Sequence, residues 1–163
     1  MDKVNRILYD KEYLFYLENI RLLEKDRSFC RHDFEHFLTV ARLTYLFLLE
    51  EGCRFISREM AYSAGLLHDI GRWKEYQGGG DHATISARLA GSILERAGFN
   101  HCEQELIVKA IAQHRHDAPG EHRSPLSSAL HKADGMARLC FSCVSRKDCR
   151  GLDRRPHRER LLY

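Results

Sequence analysis

His68 and Asp69 stand side by side at the end of an apolar, helix-like run, Met60-Ala61-Tyr62-Ser63-Ala64-Gly65-Leu66-Leu67-His68-Asp69-Ile70-Gly71-Arg72. An imidazole nitrogen and a carboxylate oxygen are both donors to divalent first-row metals. A carboxylate at the mouth of a buried helix loses hydration and calls for a cation or a strong donor beside it. The dipeptide alone carries little weight, because His32-Asp33 and His116-Asp117 repeat it. What sets the copy at 68–69 apart is its company. His36 lies upstream, and His82, His114 and Asp134 lie downstream, each inside or at the edge of a segment with helical apolar spacing.

Residues three or four apart share one helix surface. His36 falls on a stripe with Val40, Leu43 and Phe47, and His68 with Ala61, Ala64 and Gly65. His82 lines up with Ile85, Leu89 and Ile93, His114 with Ile107, Ala110 and Ile111, and Asp134 with Leu126, Leu130 and Ala137. All five therefore point to a shared core. One inward histidine is ordinarily a hydrogen-bonded core residue. Four on four helices, with two carboxylates, point instead to a metal, with Zn, Fe or Mn all compatible with the donor set. Small residues beside His68 would let neighbouring helices approach closely. Rivals remain. His32 shares a face with His36, but Arg31 and Asp33 around it look like a helix start, so His36 is preferred. His116 lies past its apolar stripe, near Pro119-Gly120, and ranks after His114. His131 is read as a partner of the cluster or as packing, and His101, His122 and His157 as loop or tail residues.

The elements that must position these groups are helices with short breaks; no alternating β-branched run or Asn-Gly hairpin signal occurs. A first helical region covers about residues 3–25. A second runs from about Asp33 to Glu51, apolar nearly all round, and ends at Gly52. Ser57 is a fitting N-cap for a third helix that ends at His68 or Ile70. Residues 72–80 read as a loop because of Gly78, Gly79 and Gly80, with Trp73 and Tyr76 free to stack on a base, fold over a site or form a plain exposed turn. Asp81 caps a fourth helix stopped by Gly98. Asn100 and Glu103 form a capping-box pattern for a fifth, and Ser124-Pro125 opens a sixth reaching about Cys140.

In this ordered set the chain resembles the HD-domain superfamily of metal-dependent phosphohydrolases. The resemblance rests on His36 in His-Phe-Leu-Thr-Val-Ala-Arg, His68-Asp69 in Leu-Leu-His-Asp-Ile-Gly-Arg, and Asp134 in His-Lys-Ala-Asp-Gly. His82 and His114 look like the additional histidines of two-metal members. The resemblance implies an all-α, compact helical bundle of the HD-domain type with about six helices. It implies that His36, His68, Asp69 and Asp134 hold one divalent transition metal, and that Asp69 bridges to a second held by His82 and His114. Fe, Mn, Zn, Co or Ni would serve. Two such ions can share a hydroxide, with a water pKa lowered towards neutrality, and clamp a phosphate for in-line attack. Asp69 then takes part in catalysis, while Arg72, Arg115 and Lys132, beside the ligands, would neutralise phosphate oxygens or simply be surface charges. The implied function is hydrolysis of a phosphate ester or anhydride of a nucleotide or other small molecule. Bacterial dinucleoside tetraphosphate hydrolases show a similar two-metal pattern. The same cage also fits a non-catalytic metal- or nucleotide-binding regulatory module, or a diiron oxygenase.

The bulk properties bound this reading. A chain of 163 residues, 44% hydrophobic and 30% charged, fits a globular domain able to bury its own core. No apolar run approaches the roughly 20 residues of a membrane helix, and the N-terminus carries no secretory pattern. A cytoplasmic protein with reduced thiols is expected, with a small-molecule phosphate as partner and oligomerisation left open. The helical domain is placed at residues 1–140. The tail, 141–163, carries seven Lys/Arg against three acids, a net +4 of the chain's +3. A global nucleic-acid-binding field is therefore not indicated, and the tail reads as solvated. Within it Cys140, Cys143 and Cys149 could hold a structural metal, with His157 as an unusually spaced fourth ligand, or be free thiols.

Overall fold

The computed structural model describes residues 1–115, 123–155 and 157–163. His116 and His122, two of the histidines weighed above, lie outside these. Eight α-helices follow one another among the described residues, with no strand. They are α1 (Asp2–Leu8), α2 (Lys11–Leu23), α3 (Phe34–Glu50), α4 (Arg58–Leu67), α5 (Arg72–Tyr76), α6 (His82–Ala97), α7 (His101–Gln113) and α8 (Pro125–Met136). The all-α expectation holds, and the count exceeds six for two local reasons. Asp10 breaks the first region in two, because its side chain accepts from the Glu12 and Tyr13 amides and starts a new helix. The glycines at 78–80 stop a helix but leave Arg72–Tyr76 free to form one, so the expected loop is half helical.

The other boundaries follow the caps. Asp33, Ser57, Asp81 and Ser124 each accept an amide of the first turn, and Asn100 with Glu103 forms a reciprocal capping box. Gly98 adopts φ 89° at the end of α6, a conformation that favours glycine.

α3 packs against α4 and α8, and α7 lies against α4, α6 and α8. Phe37, Val40, Ala41, Phe47 and Leu48 of α3 are completely buried. Withdrawing each aromatic from water contributes roughly 1.5–3 kcal/mol. At the α3–α4 crossing a Cβ on Gly65 would lie 2.4 Å from the Ala41 Cα. That contact is the close approach the small residues beside His68 call for, and it brings His36 and His68 onto facing surfaces. The segment after α8 makes three short 3-10 turns, at Cys140–Ser142, Arg146–Asp148 and Leu152–Arg154. It folds back on the helices. Ser145 donates to the Ser28 carbonyl at 2.5 Å, and the Tyr163 ring meets Phe47 edge-on at 4.7 Å. No helix among the described residues is long and apolar enough to cross a membrane.

Candidate metal centre

Helix ends build the site. His68 follows the last turn of α4 and His114 the last turn of α7. Terminal carbonyls of a helix lack intrahelical partners. Here two of them accept from the rings: His68 Nδ1 lies 2.7 Å from the Gly65 oxygen, and His114 Nδ1 lies 2.7 Å from the Ile111 oxygen. A carbonyl can only accept, so each Nδ1 carries the hydrogen and, in the neutral ring, each Nε2 presents a lone pair. His82 opens α6 and is held in the same sense by Glu75, 2.9 Å from its Nδ1. His131 Nδ1 donates to the His114 carbonyl at 2.6 Å and braces that turn.

These nitrogens converge on Asp69, which is wholly buried. Its Oδ2 lies 3.4 Å from His68 Nε2, and its Oδ1 lies 3.1 Å from His82 Nε2 and 3.5 Å from His114 Nε2. Asp134 Oδ1, from α8, sits 3.3 Å from His36 Nε2 and 3.7 Å from His68 Nε2. Two groups of donor atoms result, each drawn within 4.8 Å: His36, His68, Asp69 and Asp134, and Asp69, His82 and His114. Asp69 belongs to both, one carboxylate oxygen facing each. All six residues expected as ligands therefore meet at one centre.

The donor set fits divalent metal. His68 Nε2 and Asp69 Oδ1 are buried and make no hydrogen bond among the described residues. Lone pairs facing a carboxylate at such distances repel unless a positive charge lies between them. Burial opposes charging His68, but Asp69 and Asp134 outweigh it and the ring is pushed up to about 10. Burial would raise both carboxyls, yet His68 and Arg72 beside Asp69, and His36 and His68 beside Asp134, hold them well below the usual carboxylate range. His36 is lowered, chiefly by burial.

The expected cations divide. Arg72 Nε donates to Asp69 Oδ2 at 3.1 Å, and Arg115 pairs with Glu75 at 2.7 Å and Asp81 at 3.1 Å, so both stand at the site. Lys132 does not. Two residues before Asp134 is about 200° around a helix, and its ammonium lies over the Phe47 ring, 3.9 Å from the centroid. Trp73 is no free stacking platform either: it stacks on Tyr16 at 6.1 Å, and Tyr76 is tied by its hydroxyl to Glu24.

Sequence reasoning also passed over residues that matter here. His32 is not an alternative to His36 but a neighbour of it. It precedes α3, its Nδ1 lies 2.5 Å from Glu24, and its Nε2 faces Asp69 Oδ2 at 3.5 Å. Burial holds His32 down at about 4, and burial is outweighed at Glu24, where hydrogen bonds from His32 and Tyr76 bring the carboxyl down to about 2. A neutral His32 donating to an ionised Glu24 satisfies both. Arg138, just past α8, lies 3.3 Å from His36 Nε2 and makes no ion pair among the described residues. Its basic character was legible, but not its direction.

The HD domain family model matches residues 33–140. The chain belongs to the HD-domain family. It is 40% identical over 149 residues to an uncharacterized protein of Clostridium beijerinckii, covering 91% of this chain and 92% of that one. Ribonuclease Y of Syntrophobacter fumaroxidans is 36% identical over 123 residues, which are 74% of this chain and 21% of the relative; this chain thus spans about a fifth of that protein. A crystal structure of a predicted HD superfamily hydrolase from an uncultured Thermotogales bacterium matches with a TM-score of 0.57 at 30% identity, over 76% of this chain and 66% of that one. The family match and a neighbour described as a predicted HD superfamily hydrolase agree with a hydrolase reading, and the histidines and aspartates form two groups that could hold metal ions.

Proposed function

We propose that this protein hydrolyses a phosphate ester or anhydride of a nucleotide or similar small phosphorylated molecule. One observation carries the substrate class. Beside the centre lies a cavity of about 590 Å³ lined by Arg27, Arg72, Arg138, Arg150 and Arg155 together with His32, with Asp148 as the one carboxylate among its lining residues. Five arginines against one carboxylate leave the lining cationic, and guanidiniums bind phosphate oxygens in bidentate fashion. Phe29 lines the same space and offers an apolar face to a base.

Divalent metal held by His36, His68, Asp69 and Asp134, and by Asp69, His82 and His114, would supply Lewis-acid polarisation and lower the pKa of water. The chain's own residues do the remainder. Glu75, the Gly65 carbonyl and the Ile111 carbonyl fix the imidazole tautomers. Arg72, pinned by Asp69, stands between the centre and the cavity, where it can bind a phosphate oxygen. Burial of Asp69 and His68 keeps bulk water from competing for these charges.

The test is release of phosphate from a panel of nucleotides, dinucleoside polyphosphates, a plain phosphomonoester and short RNA, with Mn, Co, Fe or Ni added. RNA belongs in the panel because the Ribonuclease Y relatives carry that activity in their name. Asp69→Ala removes the one side chain shared by both donor groups and should abolish turnover. Equal activity in wild type and Asp69→Ala defeats the proposal. Oxygen consumption on substrates without phosphate would favour oxygenase chemistry instead.

A further inference from the structure

Six cysteines are free thiols, and four of them gather at one place. Cys30 comes from the loop before α3, while Cys140, Cys143 and Cys149 come from the segment after α8. Cys30, Cys140 and Cys149 line the arginine-walled cavity, and Cys30, Cys140 and Cys143 line an adjoining one of about 340 Å³. The buried Cys140 thiol feels all three others: burial first, then Cys30, Cys149 and Cys143, push its pKa up, with Arg155 acting against them.

We infer that Cys30, Cys140, Cys143 and Cys149 form a structural zinc site that staples the C-terminal segment to the loop preceding α3. The Cys-x2-Cys pair of 140 and 143 has the spacing common in tetrahedral zinc sites, and soft thiolates select such an ion. What the segment lacks is a fourth sulfur, and the fold brings it from more than a hundred residues upstream. His157 is the less suitable fourth ligand: its Nδ1 is engaged by the Leu162 amide at 3.1 Å and the Arg160 carbonyl at 3.3 Å, and its buried Nε2, though without a hydrogen-bond partner among the described residues, belongs to a ring that lines neither cavity. Four thiolates around Zn²⁺ leave a net charge of −2. Arg138 and Arg155 share a wall with the sulfurs and offset it. As placed, no three of the sulfurs lie within 4.8 Å of one another, so binding would draw the segment closer to the Cys30 loop. The staple would hold Arg150 and Arg155 at the cavity wall. The site stands independently of the hydrolase proposal.

Two measurements on the full chain test it. In the first, alkylation at each cysteine is followed by peptide mass mapping, with zinc present or after chelation. Zinc should slow labelling at Cys30, Cys140, Cys143 and Cys149 together by about tenfold or more, because a metal-bound thiolate is no longer a free nucleophile. The exposed Cys102 should label equally in both states. Equal rates at the four cysteines overturn the site, as do disulfides among them in protein purified under reducing conditions. In the second, Co²⁺ replaces zinc. A near-ultraviolet thiolate-to-cobalt charge-transfer band should form, survive in His68→Ala and Cys102→Ser, and weaken in Cys30→Ser with unchanged helical circular dichroism. Should Cys30→Ser fail to fold, the labelling of the unmutated chain decides alone. Retention of the full band in Cys30→Ser, with its loss in His157→Ala, removes Cys30 from the set and overturns the inference.

Discussion

Gly65→Ala probes how the α3–α4 contact builds the centre. The added Cβ would lie 2.4 Å from the Ala41 Cα and 2.5 Å from its nitrogen. Both are backbone atoms, so no side chain can swing aside. Ordinary contact starts near 3.4 Å, so the helices must part by about 1 Å. Overpacking costs about 1–3 kcal/mol, and a clash against rigid backbone belongs at the upper end. Against this, alanine is favoured over glycine inside a helix by about 1 kcal/mol. The net expectation is a loss of about 2 kcal/mol, or about 4–8 °C in Tm for a chain of this size. Gly91→Ala is the control. It lies inside α6, where a Cβ meets nothing within 4 Å, so the same exchange should stabilise by about 0.5–1 kcal/mol. Urea denaturation of both variants reads out the difference in sign. Because the Gly65 carbonyl orients His68, metal affinity measured by calorimetry should also fall in Gly65→Ala and stay unchanged in Gly91→Ala. If Gly65→Ala gains stability as Gly91→Ala does, the packing argument is wrong.

Three further outcomes follow from particular contacts. Glu24 has a folded pKa depressed to about 2 from an ordinary value near 4.5, so its contribution, on the order of 3 kcal/mol, is present above the ordinary value and is lost as pH falls towards 2. Urea midpoints between pH 7 and pH 3 should fall less steeply in Glu24→Gln than in wild type; parallel slopes would contradict the assignment. Lys132→Met should leave kcat/KM within about twofold and cost about 0.5–1 kcal/mol of stability, because its ammonium covers Phe47 rather than the substrate; a large loss of turnover in steady-state assays would return Lys132 to the site. Arg138→Met should weaken kcat/KM for phosphorylated substrates by about 10–100-fold, the worth of one charge-assisted hydrogen bond, and that loss should shrink for substrates with fewer phosphates. No such dependence would mean that the cavity does not bind phosphate.

Much of this protein can be read before any coordinates. Caps are local chemistry: Asp33, Ser57, Asp81, Asn100 and Ser124 each satisfy amides within three residues, so their helices start where the sequence places them. Helical periodicity placed His36, His68, His82, His114 and Asp134 on inward faces, since a residue that shares a stripe with buried apolar neighbours must share their direction. Periodicity also holds the reason that Lys132 turns away, two residues from Asp134, although adjacency in the chain suggested the opposite. Distances between elements are another matter. Nothing local says that Glu24 caps His32, that Arg138 reaches His36, or that Arg150 and Arg155 line a cavity with Arg72. Nor does spacing along the chain reveal that Cys30 lies beside Cys140. Those neighbours come from loops and from a segment without periodicity, and only the closure of α3 on α4 and α8 brings them together. Sequence by itself determined the helices, their buried faces and the donor types; tertiary structure decided the company each donor keeps, because contacts across the fold depend on how whole elements pack and not on the residues next along the chain.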